Sequence, residues 1–121
     1  MEKKNAILDK SFEFALEIIE YSELLEEQKK YVIARQLLKS GTSIGANIRE
    51  AQSSESRADF IHKLKIAAKE AQETDYWLML CNHSSSYPSN HLLPIKIEEI
   101  QKLFSSIISS AKKNSTNISS H

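Results

Sequence analysis

The sequence predicts an all-α protein, an antiparallel up-and-down four-helix bundle, and three observations carry that expectation. The 121 residues include only 2 Gly and 2 Pro, too little punctuation for hairpins or many short strands. Apolar residues recur at steps of three and four along four separate stretches, which is the periodicity of a helix face and not of a strand. The composition, 40% hydrophobic and 26% charged, is that of a chain able to bury a core, and its length suits one domain. A bundle over 1–114 with a frayed polar tail over 115–121 follows.

The first helix is expected from Lys4 to about Leu25, where Ile7, Ser11, Phe14, Ala15, Ile18, Ser22 and Leu25 share one face and Glu13, Glu17 and Glu20 lie opposite. Its end is poorly marked, because 23–30 holds neither Gly nor Pro. A turn is placed near Glu26, since one straight helix through residue 54 would bury nothing by itself.

The second helix, roughly Glu27 to Ser53, carries Ala34, Leu37, Gly41, Ile44, Ile48 and Ala51 as a bundle seam. Both glycines, Gly41 and Gly45, fall inside it and four apart. Each costs a helix about 1 kcal/mol relative to alanine, so the pair implies a close packing contact. Ser40, Ser43, Asn47 and Glu50 form a polar line beside the seam. Such a line faces water, makes a buried network that fixes register, or lines a ligand groove. The expected helix-packing motif is Gly41, Ser43, Ile44, Gly45, Asn47 and Glu50.

Ser53, Ser54, Glu55 and Ser56 interrupt the pattern, and Ser56 with Asp59 has the form of a capping box. A third helix should start there, with a seam of Phe60, Leu64, Ala67, Ala71, Thr74, Leu78 and Cys81. The small residues Ala67, Ala68 and Ala71 are expected to receive the glycine face of the second helix at short separation. Another side, with Ile66, Glu70, Glu73, Trp77 and Leu80, mixes two carboxylates with the only tryptophan, which stands beside Tyr76. Glu70, Glu73, Tyr76 and Trp77 are therefore candidates for either core filling or an oligomer contact.

Asn82 to His91, rich in Ser and Asn, reads as a loop. The fourth helix begins near Leu92 or at Pro94 and buries Ile97, Ile100, Phe104, Ile107 and Ala111, with Leu103 and Ile108 widening the stripe. Glu98 and Glu99 early and Lys112 and Lys113 late complement its dipole.

Formal charge is zero, with 16 basic and 16 acidic side chains, which gives no whole-molecule attraction to nucleic acid or to an anionic membrane. The distribution is uneven: 1–28 holds 3 basic and 8 acidic residues, 29–65 holds 8 and 3. The two stretches neutralise each other or a partner subunit, or the second offers anion contacts to RNA through Arg35, Lys39, Arg49, Arg57, Lys63 and Lys65. A single cysteine, Cys81, excludes an internal disulfide, and no 18 apolar residues run together. The expected location is cytoplasmic, with no membrane span.

Catalytic signatures are sparse. A ferritin-like di-iron bundle needs Glu-x-x-His, which does not occur. Asp59 with His62 is unduplicated, Cys81 with His83 lacks further zinc ligands, and Glu70 with Glu73 lacks a nucleophile or acid partner. No cofactor or metal is expected. The favoured reading is a non-catalytic, self-associating scaffold or adaptor that meets RNA or a protein; the alternative is a metal- or thiol-dependent enzyme on a helical bundle.

The stretch SGTSIGANIREA at Ser40–Ala51, followed by SRADFIHKLKIAAKEAQETDYWL at Ser56–Leu78, resembles the four-helix-bundle family that includes proteins encoded in ribosomal-RNA intervening sequences. QLLKSGTSIGAN from Gln36 and EEIQKLFSSII from Glu98 extend the likeness over almost the whole domain. The resemblance implies an antiparallel bundle, often a homopentamer around a central axis, and implies no reaction. Members similar to the accessory protein of diversity-generating retroelements bind nucleic acid and a reverse transcriptase. Those are strongly basic, whereas this chain is neutral.

Overall fold

A computed structural model describes residues 5–119, with side chains described through residue 114. It contains four helices, α1 (Ala6–Glu27), α2 (Tyr31–Ala51), α3 (Arg57–His83) and α4 (Leu92–Ser119), and no strand among the described residues. The expected start of α1 at Lys4 lies outside them. Here the Asn5 side chain caps the helix by accepting from the Leu8 amide at 3.3 Å.

Each helix packs on two neighbours in the cyclic order α1, α2, α3, α4. Residue pairs between neighbours run in opposite senses. Asn5 meets Gln52 while Gly41 meets Ile18, and Lys65 lies by Lys112 while Asn82 meets Asn90. Lys10 reaches Glu99 and Glu17 reaches Lys96. The bundle is therefore antiparallel and up-and-down. The seams foreseen from spacing form its core: Phe14, Ile18, Leu25, Leu37, Ile44, Ile48, Leu64, Leu78, Ile97 and Ile100 are all nearly inaccessible, the unforeseen Leu93 joins them, and Phe60 and Ile107 are only partly buried.

The turn after α1 falls later than expected, at Gln28–Lys30. The Lys30 amide reaches back to the Leu25 carbonyl (2.8 Å) and the Lys29 amide to that of Glu26 (2.9 Å), the paired bonds of a Schellman ending. That geometry needs a left-handed residue, and Lys29 supplies it with φ 63°. Glycine normally marks such a site, so its absence hid the boundary.

Ser56 caps α3 as expected, its hydroxyl accepting from the Asp59 amide at 3.0 Å. Asp59 returns to the Glu55 amide (3.3 Å), one residue before the position a standard capping box would use. The 84–91 loop is fastened at both ends. Asn82 and Asn90 exchange bonds of 2.9 and 2.7 Å, Asn90 caps the Leu92 and Leu93 amides, and the Tyr21 hydroxyl donates to the Pro88 carbonyl. The backbone of α4 stays helical through Ser119, past the expected bundle end near residue 114. The expectation of a frayed tail otherwise concerns side chains from 115, and residues 120–121, outside the described set.

Candidate functional site

The glycine motif packs, but not where the sequence placed it. A Cβ on Gly41 would sit 2.8 and 2.9 Å from the two γ carbons of Ile18, and one on Gly45 would sit 3.5 Å from Ser11 Oγ. The glycine face thus lies against α1, and the expectation that Ala67, Ala68 and Ala71 of α3 receive it is corrected. The reason is steric: the hollow over Gly41 is filled by a branched side chain inserted from α1, and needs no small residue opposite.

The polar line of α2 divides into three. Ser40 is fully buried, and the Thr74 hydroxyl of α3 is shared between Ser40 Oγ and the Glu70 carbonyl, each at 2.8 Å. Ser43 and Asn47 bond back to their own helix, at the Lys39 carbonyl (2.6 Å) and the Ser43 carbonyl (2.8 Å), and Glu50 is exposed. Only Ser40 joins one helix to another, while Ile44 belongs to the core.

On α3, Trp77 packs partly against the core and donates from Nε1 to Glu73 (3.1 Å), with the Tyr76 ring 5.6 Å away. Tyr76 itself is 54% exposed. Partial burial and the nearby Glu73 charge push the Glu70 carboxyl above its ordinary range, against the opposing pull of Lys39. Tyr76, Met79 and Leu80 share this outer surface, and α1 presents Phe12, Leu16 and Ile19 at steps of four and three.

The six candidate anion contacts are not gathered into one strip. Arg49 lines a groove with Leu8 and Phe12 of α1, whereas Lys39 faces Glu70 of α3. Lys63 is held by Asp59 at 3.2 Å, lowering that carboxyl's pKa, and Lys65 turns toward Lys112 of α4. Arg35 and Arg57 are exposed on α2 and α3. The approach of Lys65 to Lys112 is not legible in the sequence, where the two residues stand far apart.

No group of three His, Cys, Asp or Glu among the described residues could hold a metal ion. Cys81 is buried, which pushes its thiol pKa up against the opposing influence of the neighbouring Tyr21 hydroxyl, the reverse of an activated thiolate. No described helix is long and apolar enough to cross a membrane.

Comparison with known proteins places this geometry. The family model described as 23S rRNA-intervening sequence protein matches residues 3–109. A crystal structure of a protein with unknown function from the S23 ribosomal protein family, from Bacteroides thetaiotaomicron, is 50% identical and superposes with a TM-score of 0.79. That match covers 84% of this chain and 97% of the other. Nothing matches among functionally curated proteins.

Proposed function

Since the chain belongs to the 23S rRNA-intervening sequence protein family, whose four-helix architecture it shares, we propose that it is a non-catalytic scaffold or adaptor that associates with copies of itself and presents its remaining surface to RNA or to a protein. The observation that carries this reading is the pair of outer apolar faces. Phe12 and Leu16 on α1 are 55% and 50% exposed, and Tyr76 and Met79 on α3 are 54% and 50% exposed. Water is a poor neighbour for several large apolar side chains on one face, and a second subunit removes that cost.

The charge pattern supports the same reading. Glu13 and Glu20 flank the α1 face, and the exposed Arg35 on α2 and Arg57 on α3 of a neighbouring subunit offer them opposite charge. A ring of such contacts, a pentamer included, closes without a two-fold axis. Light scattering on the purified chain at micromolar concentration tests this. The expected mass is a multiple of 13.8 kDa, and a monomer of 13.8 kDa defeats the proposal. An RNA partner requires affinity that falls steeply with added salt. No retention of RNA at low salt removes that partner and leaves a protein.

A further inference from the structure

A shallow trough of about 180 Å³ runs between α1 and α2 on the outside of the bundle. Its floor is made of small residues, Ala15, Gly45 and Ala46, its wall is the exposed ring of Phe12, and its rim carries Arg49. A contiguous hollow brings Asp9 and Glu13 of α1 to the same rim, yet Arg49 forms an ion pair with neither among the described residues. Ile19 and Leu38, both exposed, stand seven residues from Phe12 and Gly45 and carry the apolar border further along the bundle. What such a trough lacks is a ridge of apolar side chains with an anion placed to meet the guanidinium.

The outer side of α3 has that form. Ile66, Glu73, Tyr76 and Leu80 follow one another at steps of seven, three and four, and all are exposed. Glu73 is already oriented: its Oε2 accepts from Trp77 Nε1 at 3.1 Å, which leaves Oε1 for a cation. The registers match. Glu73, Tyr76 and Leu80 step forward along α3 by three and four, and Arg49, Ala46 and Thr42 step back along α2 by the same amounts. With α3 laid antiparallel to α2 and Glu73 on Arg49, Tyr76 falls about 4.5 Å further on, over the small-residue floor, and Leu80 about 10 Å further on, beside Thr42. Lys69, one turn before Glu73 on the same ridge, then lies toward Asp9. Because α3 does not pack on α1, the ridge cannot reach the trough of its own chain. We infer that the α1–α2 trough is the docking site for the α3 ridge of a second copy of this chain, with Tyr76 on Ala15 and Ala46 and Glu73 on Arg49. The inference rests on the proposed self-association and specifies its geometry. Trough and ridge are different surfaces, so the contact is heterologous and every copy offers one of each.

Sedimentation of paired variants of the full chain at a fixed micromolar concentration tests this, with circular dichroism to check that each keeps its helical content. Ala46→Glu puts a charged side chain into the trough and leaves the ridge intact, whereas Tyr76→Ser, Leu80→Ser strips the ridge and leaves the trough. All three positions are exposed, so neither variant disturbs the core. The parent should sediment at a multiple of 13.8 kDa, and each variant alone should associate about tenfold or more weakly and fall toward 13.8 kDa. An equimolar mixture of the two should recover a dimer of twice 13.8 kDa, because the intact ridge of one meets the intact trough of the other. Arg49→Glu combined with Glu73→Arg in one chain should regain the association that either change alone loses. A monomeric parent overturns self-association itself. A parent that assembles, with Ala46→Glu assembling equally well, overturns only the trough as the site. Variants that both dissociate yet fail to complement each other overturn the ridge-into-trough pairing in favour of a two-fold contact, and a charge swap that regains nothing overturns the contact of Glu73 with Arg49.

Discussion

The same substitution at the two glycines of α2 should have opposite effects. Replacing a mid-helix glycine with alanine is worth about 1 kcal/mol in backbone propensity, and Gly41 and Gly45 share that gain. They differ in what the new methyl meets. At Gly45 it lies 3.5 Å from Ser11 Oγ, an ordinary contact, so Gly45→Ala should stabilise by about 0.5–1 kcal/mol. At Gly41 it lies 2.8 and 2.9 Å from the Ile18 γ carbons and 3.3 Å from its Cβ. Ile18 is fully buried and branched at Cβ, so it cannot swing aside, and overpacking of this kind costs about 1–3 kcal/mol. The net expectation for Gly41→Ala is a loss of about 1 kcal/mol, or about 4 °C in melting temperature for a chain of this size.

Urea unfolding followed by circular dichroism, at one fixed protein concentration, measures both changes. The decisive control is the Ile18→Ala background. There the clashing γ carbons are gone, and Gly41→Ala should become stabilising, whereas Ile18→Val keeps both γ carbons and should not rescue it. Stabilisation by Gly41→Ala in the otherwise unaltered protein would refute the close approach of α1 and α2.

Lys29→Gly should raise stability by about 0.5–1 kcal/mol in the same unfolding assay, because it relieves a left-handed non-glycine residue at the end of α1. Thr74→Val keeps the volume but removes the proton shared with Ser40 and the Glu70 carbonyl, and should cost about 1–3 kcal/mol. Adding Ser40→Ala should recover much of that loss, since no buried hydroxyl is then left without its cross-helix partner. Asp75 has its pKa raised, first by burial and then by Glu98, so its ionisation opposes folding. Its adverse effect is absent below the ordinary carboxylate pKa and sets in as pH rises from there through the raised value. Asp75→Asn should therefore gain stability at pH 7 and gain nothing at pH 3.

The parts of the fold visible in the sequence were those written locally. The seam steps of all four helices located the core, and Ser56 with Asp59 located the start of α3 because capping uses residues three apart. The α1–α2 turn was obscured because Lys29 occupies a conformation that sequence reading assigns to glycine. The partner of the glycine face does not follow from matching small residues with small ones, because the branched Ile18 fills the hollow over Gly41. Ser11, a small residue in the middle of the α1 seam, was the available signal for its approach to Gly45. The functional surface was the least legible part. Arg35, Lys39, Arg49, Arg57, Lys63 and Lys65 form a group along the chain, yet helix rotation turns Arg49 toward α1 and Lys65 toward α4. Which cations meet depends on the angular setting of each helix, and one-dimensional charge runs do not encode it.

If the outer apolar faces serve self-association, sedimentation of the parent chain beside a Tyr76→Ser, Met79→Ser variant will separate the two by mass. Both side chains are at least half exposed, so the variant should keep its helical content. Self-association through these faces gives a parent mass that is a multiple of 13.8 kDa and a variant that falls toward 13.8 kDa as the protein is diluted. A parent chain that sediments at 13.8 kDa across the micromolar range would contradict it.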